Sequence, residues 1–504
     1  MADPKGFIKI RRKEAGYRPL NERIYDFGEV EQTLDEKDRI DQAARCMDCG
    51  VPFCHWGCPV GSKIPEWQDA VFKGNWKNAY DILHSTNPFP EFTGRICPAP
   101  CEKACVLAIH DETVTIRENE CSTVEHAFDL GYVQPRIPVA RTGKKVAVIG
   151  SGPAGLAAAD LLNQAGHEVT VYEKNNAIGG LLRYGIPDFK LTKTVIDRRL
   201  KVLKAEGIRF VTGVMVGEEA KRGEEVNGKK VDGEEVSDKK ANGEEVRSIV
   251  INAEKLLTEH DAVVLATGAE QPRDLTAEGR ELRGIHYAMD FLKQQNQRIA
   301  FEDAPLGSII SAHNRHVLVI GGGDTGSDCV GTAIRQKAFS VTQIEILPKP
   351  ADTRSENNPW PWWPDILRTS SSHLEGCTRR WSLATKRFIG ENGSVKQIEL
   401  VSVEWKTDAD GRRVMTEIPG STEIVEANLI LLAMGFTQPL HNGLLDSLGV
   451  EYDGRGNVKV NSDKQTSVNK VFACGDAESG ASLVVRAIEA GKIAAQKVDG
   501  FLNK

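Results

Sequence analysis

Residues 145–174 read KVAVIGSGPAGLAAADLLNQAGHEVTVYEK. A short apolar run leads into three glycines in G-x-G-x-x-G spacing, which are followed by a segment of helical periodicity and a second apolar run ending on Glu173. In a βαβ unit such glycines allow a tight turn, let the backbone approach a pyrophosphate and let the helix pack closely on the sheet. This order predicts a dinucleotide site, with the pyrophosphate at the helix N-terminus and the acid on the ribose hydroxyls. The candidate contacts are Gly150, Gly152, Pro153, Ala154, Gly155 and Glu173.

A second unit of the same kind occupies the middle of the chain. The apolar run Val317–Ile320 leads into a glycine-rich turn, a predicted helix through Lys337 and a predicted strand over Val341–Leu347. Alignment of the two units places Glu345 where Glu173 stands, and an acid there favours the unphosphorylated ribose of NADH. Two cations follow closely and suit the 2′-phosphate of NADPH, so a nicotinamide nucleotide is predicted and its phosphate state stays open. The candidate contacts are Gly321, Gly322, Gly323, Asp324, Thr325, Gly326, Glu345, Lys349 and Arg354.

Three further strands end in glycine. They run into Thr267-Gly268, into Gly435 and into Gly475-Asp476. In flavoproteins with two dinucleotide domains, such strand ends pass beside the cofactors. Because a Gly-Asp end recurs far from the first glycine turn, we expect an FAD domain in two sequence pieces with the nicotinamide domain inserted between them. Asp476 suits a ribityl hydroxyl, and the start of the last helix at Leu483 suits the pyrimidine edge of the flavin.

Residues 178–190 read IGGLLRYGIPDFK. Several glycines beside a proline predict a backbone loop pressed against a ligand, since an ordinary surface turn would expose its leucines. We assign Gly180, Leu181 and Lys190 of this loop to the flavin site.

The cysteines are concentrated near the N-terminus, where eight of the eleven lie between Cys46 and Cys121. One group has C-x2-C-x4-C-x3-C spacing and a second has C-x3-C-x3-C spacing, and each contains a Cys-Pro pair. Soft thiolate ligands select zinc or iron–sulfur clusters. Because only His55 and His110 are near, the pattern favours iron–sulfur over zinc. Between the groups, apolar residues from Ile64 to Leu83 have near-helical spacing and predict a packing face beside the clusters.

The dense run closed by Cys-Pro resembles two-cluster ferredoxins, in which the last cysteine of a run ligates the other cluster. This resemblance implies one [4Fe–4S] cluster on Cys46, Cys49, Cys54 and Cys105, and a second on Cys58, Cys97 and Cys101. The second cluster then lacks one ligand. Glu120 and Cys121 are the candidates, and chemistry alone favours the thiolate.

Length and charge narrow the class of protein. A chain of 504 residues has room for about three domains. A net charge of -7 provides no basic surface for nucleic acid. No apolar run approaches the roughly 20 residues of a membrane span, so we expect a soluble, cytoplasmic protein. Residues 217–247 are a repetitive charged insertion in which Asn227-Gly228 favours a hairpin.

Residues 357–364 read NNPWPWWP. This segment is rigid and aromatic, and it suits packing on its own domain or on a partner.

Together these motifs resemble the small (beta) subunit of bacterial glutamate synthase and the same module of dihydropyrimidine dehydrogenase. The resemblance is carried by the cysteine runs, both glycine turns, residues 179–190 and residues 474–490, and the aromatic segment is similar to the glutamate synthase branch. The resemblance implies Glu120 as the eighth cluster ligand. It also implies an electron-input role, in which NADPH or NADH reduces FAD and two [4Fe–4S] clusters conduct electrons to an FMN-containing large subunit. Hydride transfer needs alignment more than an acid or base, so no catalytic acid or base is assigned.

The expected fold class is α/β, with a helical N-terminal iron–sulfur domain followed by two Rossmann-like dinucleotide-binding domains, the second inserted in the first. The expected domains are residues 1–140 for the clusters, 141–280 with 456–504 for FAD, and 281–455 for NAD(P)H. An alternative function is a homologous FAD/iron–sulfur subunit of a transhydrogenase or hydrogenase complex.

Overall fold

The computed structural model describes residues 3–217, 251–302, 309–408 and 410–504, together with the backbone of the short strands between 225 and 250. Before the first strand, the described chain forms helices joined by loops. The helices are α1 (Gly6–Lys9), α2 (Leu20–Arg23), α3 (Glu36–Ala44), α4 (Phe53–Gly57), α5 (Ile64–Phe72), α6 (Trp76–His84), α7 (Pro90–Ile96), α8 (Pro100–Lys103) and α9 (Ile116–Asp129), with a 3-10 helix at Val106–Ile109.

The near-helical spacing from Ile64 to Leu83 corresponds to two helices. The chain turns at Gly74, whose φ is +67°, and the Asn75 side chain then accepts a hydrogen bond from the backbone N–H of Asn78 at the start of α6. Both helices bury their apolar face: Trp67 and Leu83 are fully buried. The packing face predicted beside the cysteines is therefore confirmed, divided between α5 and α6.

The middle of the chain alternates strands and helices. Its elements are β1 (Lys145–Ile149), α10 (Pro153–Gln164), β2 (Glu168–Glu173), α11 (Leu181–Tyr184), α12 (Lys193–Ala205), β3 (Arg209–Thr212), β4 (Val214–Gly217), β5 (Glu225–Val226), β6 (Lys229–Lys230), β7 (Val236–Ala241), β8 (Glu244–Asn252), α13 (Ala253–Glu259) and β9 (Ala262–Leu265).

The remaining elements continue this alternation and add an antiparallel sheet. They are β10 (Ile285–Tyr287), α14 (Ala288–Ile299), β11 (His316–Ile320), α15 (Asp324–Arg335), β12 (Ser340–Ile344), α16 (Ser371–Leu374), β13 (Thr378–Arg380), β14 (Leu383–Glu391), β15 (Ser394–Thr407), β16 (Arg413–Glu417), β17 (Glu423–Glu426), β18 (Leu429–Leu432), α17 (Leu444–Leu448), β19 (Val471–Ala473), α18 (Asp476–Ser479) and α19 (Val484–Leu502).

Two parallel five-stranded sheets organise this part of the molecule. The first has the order β19-β9-β1-β2-β3, and the second has the order β10-β18-β11-β12-β13. Their central strands are buried on both faces, as expected for parallel strands covered by helices. Because β19 joins the first sheet after all strands of the second, the second unit is inserted in the first. The predicted fold class is confirmed.

In the second unit, one helix and one strand are shorter than the sequence predicted. The helix α15 ends at Arg335, not Lys337, because Lys337 has a φ of +64° and the chain turns there. The strand β12 ends at Ile344, not Leu347, because the backbone N–H of Leu347 donates to the Glu345 side chain instead of to a neighbouring strand.

Part of the charged insertion is described as backbone. Strands β5 and β6 pair antiparallel, in agreement with the predicted hairpin, whereas its turn residues 227–228 lie outside the described residues. Strand β8 pairs in parallel with β4, so the end of the insertion belongs to a three-stranded sheet.

One hydrophobic core joins the helical region to the first sheet. Phe89 and Phe92 of the helical region pack in the same buried cluster as Leu156 and Leu182 of the first dinucleotide unit. The cysteine-bearing helices and the first nucleotide-binding turn are thus held against each other by shared apolar burial.

Candidate redox centres

The first glycine turn has the geometry that a pyrophosphate requires. Gly150 has a φ of +103°, and a Cβ there would lie 2.4 Å from the carbonyl oxygen of Ala266. A Cβ on Gly155 would lie 2.1 Å from the Gly150 carbonyl oxygen, so the helix α10 packs tightly on the turn. A Cβ on Gly152, by contrast, would meet no atom within 4 Å. Open space therefore faces the backbone at the start of α10, where Pro153 and Ala154 form the first turn.

Glu173 lies at the end of β2 and is held beside this turn. Its Oε2 accepts hydrogen bonds from the backbone N–H of Ser151 over 3.2 Å and from the Ser151 hydroxyl over 2.5 Å. Its Oε1 accepts from the backbone N–H of Asn175 over 2.9 Å. The carboxylate is therefore fixed in orientation at the place where a ribose would meet it.

The 178–190 loop lies directly on the glycine turn. The backbone N–H of Gly179 donates to the Ser151 hydroxyl over 2.9 Å, and a Cβ on Gly180 would lie 2.8 Å from the Cα of Gly152. Leu181 is 41% exposed, whereas Leu182 is buried in the core. The structure thus brings Gly180 and Leu181 to the rim of the first dinucleotide site.

Lys190, at the end of this loop, lies between the two dinucleotide units. Its ammonium pairs with Asp328 on helix α15 of the second unit. Burial opposes the charged form, but the Asp328 carboxylate outweighs it and raises the pKa of Lys190 above its ordinary value. The lysine is therefore charged and connects the two units.

The strand ends of the first sheet converge on the same site. The hydroxyl Oγ1 of Thr267 is buried without a hydrogen-bond partner among the described residues, and a Cβ on Gly268 would meet nothing within 4 Å. A Cβ on Gly475 would lie 2.7 Å from the Cβ of Ala154, so β19 ends against the start of α10. Asp476 accepts a hydrogen bond from the Ser482 hydroxyl over 2.8 Å, and burial raises the pKa of its carboxyl.

This site contains the Thr267 hydroxyl without a hydrogen-bond partner among the described residues, and open space over the backbone of Gly152 and Gly268. Helix α19 begins after Leu483. These features fit a dinucleotide such as FAD, which would supply the missing hydrogen bonds and fill the space.

The second glycine turn repeats the geometry of the first. A Cβ on Gly321 would lie 2.2 Å from the Ala433 carbonyl oxygen, and one on Gly326 would lie 2.3 Å from the Gly321 carbonyl oxygen. Gly323 and Gly435 face open space. Asp324 and Thr325 form the first turn of α15. The backbone N–H of Gly322 donates to Glu345 Oε2 over 2.7 Å, as Ser151 donates to Glu173 in the first unit.

The two predicted cations lie in different places. The Lys349 ammonium lies 5.7 Å from the centroid of the Trp381 ring, and the Arg379 guanidinium lies 5.0 Å from the same ring. The Arg354 guanidinium instead donates to the carbonyl oxygens of Trp362 over 2.8 Å and of Lys103 over 3.3 Å. Arg354 therefore connects the aromatic segment to the helical region.

Sequence reasoning did not place Arg379 at the same Trp381 ring as Lys349. The Arg379 guanidinium also donates to the Arg368 carbonyl oxygen over 3.2 Å. Arg379 lies on β13, where it pairs with Gln343 of β12, two residues before Glu345. No local motif marks it, because 34 residues separate it from Glu345 and only the sheet register brings the two strands together.

The first cysteine set encloses one cavity. Cys46, Cys49, Cys54 and Cys105 line it together with apolar side chains such as Phe53 and Ile64. Burial, together with the neighbouring Cys105 and Cys49 thiols, raises the pKa of Cys46 to about 12, so these sulfurs are close enough to repel as thiolates. Nowhere in the described ranges do three His, Cys, Asp or Glu side chains meet as they would around a single metal ion. Four cysteines around one cavity fit a [4Fe–4S] cluster, in which each thiolate would bind a different iron.

The second cysteine set includes Glu120. Burial and, to a smaller extent, the Glu120 carboxylate raise the pKa of Cys97 to about 12, and the same carboxylate contributes to the raised pKa of Cys58 and Cys101. Burial raises the pKa of Glu120 itself to about 7. Its Oε1 accepts hydrogen bonds from the Asn87 side-chain amide over 2.9 Å and from the Thr93 hydroxyl. The structure brings Glu120 together with the three cysteines.

Cys121 faces another environment. After burial, which raises its pKa, the strongest influence on this thiol is the Arg95 guanidinium, and Arg117 and Glu125 also lie near. Successive residues of a helix point about 100° apart, so α9 directs Glu120 and Cys121 to different neighbours. The structure does not bring Cys121 to the three cysteines in the way that it brings Glu120.

Two family models match the chain. Residues 23–131 match the model described as dihydropyrimidine dehydrogenase domain II, 4Fe-4S cluster, and residues 144–491 match the model described as pyridine nucleotide-disulphide oxidoreductase. The glutamate synthase [NADPH] small chain of Mycobacterium tuberculosis (strain CDC 1551 / Oshkosh) is 47% identical over 100% of this chain and 96% of its own length. The chain belongs to the glutamate synthase small-chain family.

Other relatives agree with this family. The glutamate synthase [NADPH] small chain of Bacillus subtilis (strain 168) is 40% identical over 100% of this chain and 99% of its own length. The glutamate synthase [NADH] of Schizosaccharomyces pombe is 42% identical over 98% of this chain, which covers only 22% of that longer protein. Among solved structures, Mycobacterium tuberculosis FprA in complex with NADPH covers 72% of this chain and 85% of its own, with a TM-score of 0.53 and 17% identity, which shows a shared fold.

As a member of the small-chain family, the protein is an oxidoreductase with a pyridine nucleotide oxidoreductase region and a 4Fe-4S region. Within the described residues, no helix combines the length and the apolar content needed to cross a bilayer.

The two cysteine sets of this small-chain protein have different surroundings. Cys58 and Cys97 pack against the core that contains Leu182 and the first glycine turn. The first set lies in the core of the helical region, where the Trp360 indole N–H donates to the Cys105 carbonyl oxygen over 3.1 Å. Cys101 also lies in this helical core, and Cys58 packs on both cores. The second set therefore reaches the first dinucleotide unit through Cys58 and Cys97, whereas the first set adjoins the aromatic segment.

Proposed function

We propose that this chain is the electron-input subunit of glutamate synthase. It oxidises NAD(P)H, passes hydride to FAD and then single electrons through two [4Fe–4S] clusters to an FMN-containing large subunit, which makes glutamate from glutamine and 2-oxoglutarate. Bound FAD supplies the conversion between two-electron and one-electron chemistry, and the protein supplies alignment and exclusion of water. The full-length similarity to proteins named glutamate synthase small chain supports this proposal over a transhydrogenase or hydrogenase subunit.

One observation carries the proposal. Cys58 and Cys97 share a hydrophobic core with Leu182, which follows the glycines of the flavin-site loop. A cluster held by these cysteines would therefore be connected to the first dinucleotide unit through packed apolar side chains. This contact supports the electron order FAD, second cluster, first cluster.

We assign the cofactors from the same geometry. FAD is proposed in the first unit, nicotinamide nucleotide in the second, one cluster on Cys46, Cys49, Cys54 and Cys105, and one on Cys58, Cys97, Cys101 and Glu120. Glu120 is preferred to Cys121 because three cysteines face it. Lys349 stays a candidate for the adenosine end of the nucleotide, whereas Arg354 has carbonyl partners elsewhere and is not proposed as a phosphate ligand.

The proposed domains are residues 1–140, residues 141–280 with 456–504, and residues 281–455. The strand membership of the two sheets supports this division. Helix α17 is an exception, because it lies within residues 281–455 but packs through Leu445 on the core of the first sheet. We propose a cytoplasmic location, because a reducing compartment keeps cysteines out of disulfides and able to bind clusters.

Anaerobic purification and titration test this function. We expect flavin absorbance with a broad iron–sulfur shoulder, about eight iron atoms per chain for two four-iron clusters, and bleaching by NADPH or NADH. The chain alone should reduce an artificial dye, and glutamate should form only after the large subunit is added. Purified protein that contains neither flavin nor iron, or that oxidises neither nucleotide in the presence of an acceptor, would contradict the proposal.

A further inference from the structure

Three large apolar side chains near the first cysteine set are exposed. Val51 is 73% exposed, Trp56 is 58% exposed and Trp362 is 56% exposed. The rings of Trp56 and Trp362 meet edge to face, with their centroids 5.2 Å apart. We call Val51, Trp56 and Trp362 the aromatic patch. Clustered exposed apolar side chains often mark interaction sites, and tryptophan is enriched in protein interfaces.

The aromatic patch is held in place by contacts between the aromatic segment and the helical region. Trp360 packs on Phe53 with ring centroids 4.6 Å apart, and its indole N–H donates to the Cys105 carbonyl oxygen. Arg354 bridges the carbonyl oxygens of Trp362 and Lys103. The exposed rings are therefore ordered before any partner binds, which lowers the entropy cost of binding.

The aromatic patch lies beside the cluster ligands that are farther from the flavin site. Val51 follows Cys49 by two residues, and Trp56 follows Cys54 by two residues. In the second cysteine set, by contrast, Cys58 and Cys97 pack against the core of the first sheet, although Cys101 lies in the core of the helical region. In the proposed electron order, a cluster on the first set would be the last before the molecular surface. Because the rate of electron transfer falls steeply with distance, an acceptor bound beside Val51 and Trp56 would lie near that cluster.

We propose that the aromatic patch is the docking surface for the protein that accepts the electrons, a partner that carries its own one-electron redox centre. This inference rests on the proposed function and identifies that partner as the glutamate synthase large subunit. The patch thus has two parts: Val51 and Trp56 come from the cysteine region, and Trp362 comes from the nucleotide-binding region. Docking then depends on the contact between these regions.

The test compares Trp56→Ala, Trp362→Ala and the double variant with the unmodified chain. The large subunit from the same organism is immobilised, and its dissociation constant for each anaerobically loaded chain is measured. Truncation of an interface tryptophan typically weakens binding strongly, so we expect roughly a tenfold rise in the dissociation constant for each single variant and roughly a hundredfold rise for the double variant. Glutamate formation at limiting chain concentration should fall in parallel, and Trp56→Phe should retain most of the binding.

Phe339→Ala is the matched control. Phe339 is 74% exposed and precedes β12, at the end of the second sheet opposite Glu345. Its removal should leave the dissociation constant unchanged. Iron content, flavin content and dye reduction should be preserved in every variant, which separates loss of docking from loss of the clusters.

Each contrary result has a distinct meaning. The docking surface is overturned if the double variant binds as the unmodified chain does, or if binding and iron content fall together. It is also overturned if the chain alone is an oligomer that the double variant dissociates, because a second copy would then cover the patch. If the unmodified chain reduces dye but does not bind the large subunit, the proposed function itself fails, and the docking partner fails with it.

Discussion

The backbone N–H of Gly322 donates to Oε2 of Glu345 over 2.7 Å. The first dinucleotide unit contains the same relationship between Ser151 and Glu173. In each unit the acid at the end of the second strand is oriented by the residue that follows the first glycine. The two units therefore share a detail that their glycine spacing alone does not specify, and the acid is positioned before a ribose arrives.

Replacement of Glu345 should change nucleotide preference. In Glu345→Gln the side chain can still accept from Gly322, but the negative charge that opposes a 2′-phosphate is lost. We expect the ratio of kcat/KM for NADPH over NADH to rise by roughly tenfold, which corresponds to about 1.4 kcal/mol. Steady-state dye reduction with both nucleotides measures this ratio. Glu451→Gln, at an exposed pair with Lys459, serves as the control, and an unchanged ratio in Glu345→Gln would argue against a ribose contact.

Glu120 and Cys121 are the two candidates for the fourth ligand of the second cluster, and replacing each of them in turn distinguishes them. Glu120→Ala removes the carboxylate that faces Cys58 and Cys97, so we expect the iron content to fall from about eight atoms to about four or five per chain. Cys121→Ser should retain all the iron, because its thiol faces Arg95. Iron and sulfide analysis with electron paramagnetic resonance of the reduced protein measures the difference. The reverse pattern would make Cys121 the ligand.

Gly155 has no room for a side chain. A Cβ there would lie 2.1 Å from the Gly150 carbonyl oxygen, so Gly155→Ala should displace α10 and lower the free energy of unfolding by about 1–3 kcal/mol, with loss of flavin. Gly500 also lies in a helix, but a Cβ on it would meet nothing within 4 Å. Gly500→Ala should instead raise stability by up to about 1 kcal/mol. Denaturant unfolding and flavin content check both expectations, which fail if the two variants behave alike.

Glu375 is buried between two arginines. It pairs with Arg335 over 2.5 Å and with Arg23 of the N-terminal segment over 3.0 Å, and all three side chains are at most 5% exposed. Glu375→Gln leaves buried guanidinium groups without a countercharge, and we expect a loss of about 3–5 kcal/mol in the free energy of unfolding. The exposed Lys386–Glu417 pair provides the comparison.

Glu417→Gln, in that exposed pair, should cost no more than about 1 kcal/mol. Thermal and denaturant unfolding of both variants provide the measurement. Equal losses in the free energy of unfolding for Glu375→Gln and Glu417→Gln would mean that Glu375 is not buried against Arg335 and Arg23.

Much of the fold follows from local patterns. The glycine turns at 150–155 and 321–326, the apolar strands beside them and the helices that follow are each encoded within about 30 consecutive residues, so their type was predictable. The residues at which these helices and strands end were less predictable. Helix α15 stops at Arg335 and strand β12 stops at Ile344, because a positive φ and a side-chain hydrogen bond, which have no clear sequence signal, intervene.

The candidate sites divide in the same way. The amino-acid sequence by itself determined the two dinucleotide units, the insertion of one in the other and the residues able to hold clusters, since these depend on spacing along the chain. Only the tertiary structure decided that Glu120 lies near the cysteines of the second set while Cys121 lies near Arg95. It also decided that Arg354 donates to the carbonyl oxygens of Trp362 and Lys103, and that the aromatic segment contacts Cys105 of the first set. Each of these contacts joins groups whose neighbours are set by the packing of distant helices and strands, and that packing depends on the whole buried core.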